Sequence, residues 1–439
     1  MLYFKSKELK KMERIFTKAD ILLPKFSKDS EKMSKWAVVA CDQYTSEPEY
    51  WEEVRRITQG EKSTLELILP EIYLKNPDVD RRITKIDDTM KQYIDEGVFT
   101  EYKDSLIYVE RVQSDGKMRA GIVGAIDMEG YNYNKGSQSP VRATEATVAK
   151  RLPPRIKVRE KAEIELPHIM ILIDDVKKSV IEPLEAVKDR FEKLYDFDLM
   201  CGGGHITGYL LDDAACEQVF SALDKLADKA AFNEKYGVSD QEPLVFAMGD
   251  GNHSLATAKA IYERLKEENP GKDMSKHPAR YALAEIVDLH SPALEFEAIH
   301  RVVTDDDEDR LIEEAKEALG LSHEPSDQKI TLVINAMEFP YYIHKPTANL
   351  AVGTFVNFID AYAERYGSAI DYIHGSEVVS QLSKTEGNVG FLLEDMSKAE
   401  LFPTVIKDGA LPRKTFSMGH AADKRFYVEA RRITEQEES

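Results

Sequence analysis

Cysteine is scarce in this sequence: Cys41, Cys201 and Cys216 are the only three in 439 residues. None forms a paired motif, which excludes a zinc framework or a disulfide scaffold and fits a reducing cytoplasm. Long apolar runs are missing too. Stretches such as Ile169-Met170-Ile171-Leu172-Ile173 have strand length, far short of the ~18–20 residues of a membrane span. The N-terminus is charged throughout, without the apolar core of a signal peptide, and Met12 is an alternative start. Basic charge is in deficit: 59 Lys and Arg stand against 79 Asp and Glu, a net charge of -20. Binders of nucleic acid carry a basic face, so this balance disfavours a nucleic-acid partner and, equally, an anionic membrane. The expectation is a cytoplasmic enzyme acting on a small molecule. The sequence carries no signal for an oligomeric state.

What is present is ordinary for a globular chain, with 42% apolar and 31% charged residues. The length suggests two or three regions: 1–140 with a hairpin, 141–305 at the centre, and 306–439, unless all form one compact unit. Asp42 to Arg56 reads as a loop leading into a helix capped by Thr45 or Ser46. Apolar runs at 105–112 and 119–126 flank Ser114-Asp115-Gly116-Lys117, a hairpin signal. The basic stretch 141–159 contains Pro153 and Pro154, which should break any helix. A buried strand is expected at 168–173, a helix through Leu184, Val187, Phe191 and Leu194, a strand at 206–211 and a helix at 215–231. Later come a helix at 307–319 closed by Gly320, a strand at 331–335, a helix at 355–366, and strands at 389–393 and 426–429. Irregular alternation of helix and strand predicts an α+β (mixed α/β) fold.

The sharpest feature is Leu244 to Met248, a short buried strand, followed by Gly249-Asp250-Gly251-Asn252-His253-Ser254 and a helix to about Glu268. Leu255, Ala258, Ile261, Tyr262 and Leu265 share one face of that helix, and Asn269-Pro270-Gly271 stops it. Gly249 and Gly251 permit a tight turn and close approach to a ligand. The first N–H groups of a helix lack intrahelical partners and, with the dipole, favour an anion. Asn252 or Ser254 can cap the helix, His253 can bond a phosphate or move a proton, and Asp250 can hold a metal ion or accept a proton. The same residues also serve as ordinary turn and cap residues, and the segment is neither a Walker A loop nor a dinucleotide fingerprint.

The segment MGDGNHSLATAKAIYE resembles the ADGHHRYEAA signature of the bacterial and archaeal domain-of-unknown-function family 1015 (DUF1015). Arg142, Glu145 and Thr147 match that family's R-x-x-E-x-T element. Ala298-Ile299-His300-Arg301 resembles its Pro-Thr-His-Arg element, Tyr372-Ile373-His374 its Tyr-Val-His element, and Leu411-Pro412-Arg413-Lys414-Thr415 its Met-Pro-x-Lys-Ser-Thr element. Two positions depart from the pattern: Ser254 stands where an arginine is usual, and Thr144 where a histidine is usual. Arg142, Arg413 or Lys414 would then have to supply the missing positive charge. The central signature is similar to the phosphate-binding motif of the ParB and sulfiredoxin-like superfamily, whose members include CTP-binding partition proteins, ATP-using sulfiredoxins and free-serine kinases. The resemblance implies a ParB/sulfiredoxin-like core with large additional elements.

Read together, these features lead to phosphoryl transfer onto a small hydroxyl compound, with L-serine suggested by the resemblance and ATP, ADP or pyrophosphate as donor. Gly251, Asn252, His253, Ser254, Arg142, Arg413 and Lys414 would bind phosphate. Asp250, His253 and Glu145 would be catalytic, and Asp250 and Glu145 would hold Mg²⁺. Asp42 and Tyr44, at the end of the apolar run 36–40, and His300 and Arg301 would meet the substrate. Asp288 and His290 could join the site or bind a metal, although their spacing matches no zinc motif. Gly202-Gly203-Gly204 precedes a strand rather than a helix, so a hairpin or close backbone contact is expected there. A ParB-like nucleotide switch and a metal-dependent phosphohydrolase are the alternatives.

Overall fold

The computed structural model describes residues 14–145, 152–412 and 414–435. Thr147 and Arg413 therefore lie outside the described residues.

The chain opens with β1 (Phe16–Thr17) and β2 (Ala19–Pro24), followed by α1 (Ser30–Trp36), α2 (Pro48–Thr58) and α3 (Val79–Asp95). Asp29 caps α1 by accepting from the Lys32 N–H. Trp36, Trp51, Met90 and Tyr93 anchor these helices in one apolar cluster. The expected cap of α2 by Thr45 or Ser46 is not made: Glu47 is the boundary residue and Pro48 opens the helix, so its missing N–H is no loss. β3 (Phe99–Ser105) pairs with β2, and β4 (Ile107–Val112) forms the expected antiparallel hairpin with β5 (Met118–Asp127).

β6 (Tyr131–Asn132) and β7 (Val141–Arg142) lead to α4 (Leu152–Arg159). That helix corrects the expectation from Pro153 and Pro154: both fall in its first described turn, where a proline is tolerated. β8 (Ile164–Glu165) and β9 (Met170–Ile173) follow. The single helix expected through Leu194 is instead α5 (Glu182–Glu185), a 3-10 turn at Lys188–Arg190, and β10 (Glu192–Asp198). Pairing with β11 (His205–Leu210) draws Leu194 and Phe197 into a strand, and tertiary pairing overrides the helical spacing. In the intervening turn Gly204 passes so close to the Val112 carbonyl that a Cβ would not fit. The helix expected at 215–231 is two helices, α6 (Asp213–Leu226) and α7 (Lys229–Tyr236), because Asp228 accepts from the Ala231 N–H and starts a new one. β12 (Phe246–Asp250), α8 (Asn252–Glu268) and β13 (Tyr281–Asp288) complete this part. Among the described residues ten strands form one sheet, in the order β10-β11-β4-β5-β13-β9-β12-β7-β6, with β1 on β5. The boundary expected at 140/141 falls inside this sheet, between the paired strands β6 and β7.

The second sheet starts with β14 (Phe296–Thr304). α9 (Glu308–Leu319) ends at Gly320 as expected, and is followed by β15 (Leu321–Ser322), β16 (Gln328–Ile334), β17 (Met337–Ile343), α10 (Ala351–Tyr366) and β18 (Ala369–His374). α11 (Ser376–Leu382), β19 (Val389–Leu392), α12 (Lys398–Asp408), β20 (Phe416–Met418) and β21 (Arg431–Arg432) close the order. The strand order is β15-β17-β16-β19-β14-β18, with β20 on β14. Residues 426–429 are extended but join the fold through isolated bridges, Phe426 to Val39 and Ala430 to Leu22, rather than as a regular strand. The fold is thus mixed α/β. An apolar cluster built from Leu172, Ala247, Phe296, Phe391 and Phe402 joins the two sheets, and the β12–α8 turn lies beside that junction. No helix among the described residues is long and apolar enough to cross a membrane.

Candidate functional site

The β12–α8 turn is shaped by β9. β12 carries a bulge between Met248 and Asp250 against Ile171 and Met170. Gly251 then takes a left-handed conformation, φ 79°, at the helix boundary. A Cβ on Gly251 would sit 3.0 Å from the Ile169 Cα. The space a side chain would need at this glycine is taken by the neighbouring segment. Neither Asn252 nor Ser254 caps α8: no side chain does. The first helical N–H groups, which lack intrahelical acceptors, face the turn with the positive end of the dipole. The Asn252 Oδ1 is buried without a hydrogen-bond partner among the described residues.

Charged groups converge on this turn. The Asp250 Oδ1 accepts from the Gly251 N–H at 2.9 Å, and its Oδ2 lies 3.3 Å from the Lys424 Nζ. Glu145 Oε1 accepts from the Lys414 N–H at 3.2 Å. Burial pushes the Glu145 carboxyl up, Asp250 adds to this, and Lys414 and Lys424 oppose it, so these four residues share one field. Burial alone would raise Asp42 as well, but His168, Gln43 and Lys424 outweigh it and hold that carboxyl below its ordinary value. The Lys414 loop is set from behind: Thr144 accepts from the Leu411 N–H, and Arg301 donates to the Lys414 carbonyl at 2.9 Å.

Ser254 faces the other way. Its Oγ lies 2.8 Å from the His168 Nε2, the His168 Nδ1 lies 2.8 Å from the Tyr427 hydroxyl, and that hydroxyl accepts from the Cys41 N–H at 3.0 Å. Beside this chain Arg155 donates to Glu71. Burial pushes the Glu71 carboxyl up, against the pull of Arg155. Ser254 and His168 line a cavity of about 140 Å³.

Of the residues expected at the site, the structure brings together Asp250, Gly251, Asn252, His253, Glu145, Lys414 and Asp42, while the Ser254 hydroxyl turns to His168. It sets four others apart. Arg142 is buried, with its Nε donating to the Ser139 carbonyl and its Nη2 to the Glu242 carbonyl, so the guanidinium expected to bind phosphate is spent on backbone. Tyr44 is stacked on Tyr50, ring centroids 3.6 Å apart. His300 accepts from the Leu393 N–H, and burial lowers its basicity. Arg301 is buried against Tyr372 and serves the Lys414 loop through backbone carbonyls. Asp288 and His290 belong to a different place, the end of β13, where His290 pairs with Asp174 at 2.7 Å. The Asp288 Oδ2 and Glu182 Oε2 are both buried there without a hydrogen-bond partner among the described residues, and burial with the neighbouring Glu182 pushes the Asp288 carboxyl up. Among the described residues no group of three or more His, Cys, Asp or Glu is arranged to hold a metal ion.

Sequence reasoning missed Lys424, His168, Tyr427 and Glu71. His168 was visible only as the start of a strand. Lys424 and Tyr427 sit in Asp423-Lys424-Arg425-Phe426-Tyr427, whose one signal was a basic pair beside an aromatic pair.

A family model described as "Protein of unknown function (DUF1015)" matches residues 24–362. SbnI with a C-terminal truncation, from Staphylococcus aureus, is similar over 68% of this chain and 82% of its own, at 11% identity and a TM-score of 0.36. A free serine kinase in complex with AMP is similar over 71% of this chain and 90% of its own, at 12% identity and a TM-score of 0.37. A conserved hypothetical protein from Pyrococcus furiosus is similar over 71% and 94%, at 11% identity and a TM-score of 0.35. No curated protein matches the chain.

Proposed function

The chain belongs to the DUF1015 family, and from the geometry of its β12–α8 turn we propose that it is a phosphotransferase acting on a small hydroxyl compound. The observation that carries this reading is the meeting of an uncapped helix start with two carboxylates and two lysines, Asp250, Glu145, Lys414 and Lys424. Phosphoryl transfer asks for positioning and charge stabilisation more than covalent chemistry. The amides opening α8, with His253, hold the terminal phosphates of the donor. Lys424 and Lys414 balance the charge that builds on the transferring group. A carboxylate takes the proton of the acceptor hydroxyl as its oxygen bonds to the terminal phosphorus and the donor's bridging P–O bond breaks. Glu145 suits this role, since a raised carboxyl is a better proton acceptor near neutral pH. Asp250 would hold Mg²⁺, which would neutralise phosphate charge, with Glu145 as a second ligand only if another carboxylate takes the proton; one or two carboxylates are the usual protein share for that ion. ATP, ADP and pyrophosphate are the donors to compare. L-serine is the first acceptor to try, on the family resemblance alone.

Phosphorus NMR of the protein with Mg²⁺, L-serine and each donor in turn tests the reading. Formation of a phosphoester supports it. Phosphate release without a phosphorylated product replaces it with a hydrolase, and donor binding without turnover replaces it with a nucleotide switch.

A further inference from the structure

Behind Ser254 lies a space that no part of the proposed transfer occupies. It has a volume of about 140 Å³, and its walls are Leu67, Met90, Val158, Ala162, Leu166 and Leu283. Protein interiors pack closely and leave few voids larger than a water molecule. An apolar cavity of roughly 150 Å³ stays dry and takes a benzene-sized guest. The polar groups that line it are the Ser254 Oγ and the His168 ring, 2.8 Å apart, Arg155 with Glu71, and the Arg159–Glu165 ion pair. Thr257, one turn further along α8, also lines it, so the cavity runs along the helix whose first turn faces the charged cluster.

We propose that this cavity binds the apolar body of the acceptor, a hydroxyl compound carrying a hydrophobic group of roughly six carbons. The hydrophobic group lies against Leu67 and Met90, and the hydroxyl passes the Ser254–His168 end toward Asp42 and Lys424, which connect His168 to Asp250. L-serine has no such group and leaves the walls bare, so the geometry ranks it below a larger alcohol. The proposal rests on the phosphotransferase reading only for what is done to the bound molecule. Binding itself follows from shape and polarity.

The test uses the full chain and benzyl alcohol, with Ala162→Leu to narrow the cavity and Met90→Ala to widen it. Neither residue belongs to the charged cluster. Calorimetric titration should show benzyl alcohol binding to the unaltered protein and binding at least about tenfold weaker in Ala162→Leu. Met90→Ala should keep binding and shift preference toward a two-ring alcohol, and it decides the matter if Ala162→Leu does not fold. With Mg²⁺ and donor, benzyl alcohol should be phosphorylated faster than L-serine. No binding to the unaltered protein, or binding unchanged in both variants, overturns the cavity assignment. L-serine phosphorylated at an unaltered rate in Ala162→Leu, with no benzyl alcohol bound, also overturns it while leaving the phosphotransferase reading intact. Benzyl alcohol bound in the cavity with no phosphoester from any donor supports the assignment and retires that reading instead.

Discussion

Lys424 and Asp250 are far apart in the chain, yet the Nζ of one lies 3.3 Å from the Oδ2 of the other, and their side chains are only 13% and 19% exposed. A half-buried pair at the mouth of a helix leaves one cation and one anion poised over the same few ångströms. If both act on the transferring group, Asp250→Asn and Lys424→Met should each lower turnover by roughly 100-fold with the fold intact. His253→Ala belongs in the same series. Steady-state rates alongside circular dichroism make the comparison, and near-normal rates in all three would reject these roles.

Gly251 occupies the left-handed region at φ 79°, with Ile169 directly behind it. Gly251→Ala should therefore destabilise the protein by about 1–2 kcal/mol from backbone strain alone, and crowding against the Ile169 Cα adds to it. Urea denaturation measures the loss. An unchanged midpoint would show that the turn relaxes more freely than its contacts imply.

Arg425 is buried and holds four groups at once: Glu285 at 2.8 Å, Glu429 at 2.9 Å, the Pro167 carbonyl at 3.0 Å and the Phe426 carbonyl at 3.2 Å. Arg425→Met leaves the buried Glu429 without its cation and Glu285 with only the more distant Arg119, at 3.6 Å, which should cost about 3–5 kcal/mol. Because Lys424 and Tyr427 flank this anchor, the surviving folded fraction should also bind donor more weakly. Denaturation and donor titration on the same preparation separate the two effects.

Burial and the neighbouring Glu182 push the Asp288 carboxyl up to about 7, from an ordinary 3.8. Between those values the folded protein keeps a proton that the unfolded chain has lost, so stability falls as pH rises from about 4 to about 7 and falls no further above that. Asp288→Asn removes this dependence. Its melting temperature relative to the unaltered protein should improve between about pH 5 and about pH 8, and a constant difference would mean that the Asp288 carboxyl is not raised.

The strand–turn–helix around Asp250 could be read from the sequence because its signals are local: a short apolar run, two glycines, a one-faced helix and an Asn-Pro-Gly stop. α8 runs over Asn252–Glu268, as its periodicity implies. Arg142 misled for the opposite reason. A basic cluster looks like a phosphate ligand until the carbonyls of Ser139 and Glu242 claim the guanidinium, and nothing in the local sequence announces those partners. Lys424, His168 and Tyr427 were out of reach because they arrive through contacts distant in sequence, such as the Phe426–Val39 bridge. The double break in the expected helices at Asp228 and Glu192 follows from a cap and a strand partner that spacing alone does not weigh.

Lys414, Lys424 and Tyr427 are the last of the site residues to leave the ribosome. Until they emerge, Asp250 has no counter-ion, Glu145 has no lysine near it, and His168 has only one of its two partners. A nascent chain released before that point would therefore carry the turn but not the balance of charge that phosphate requires.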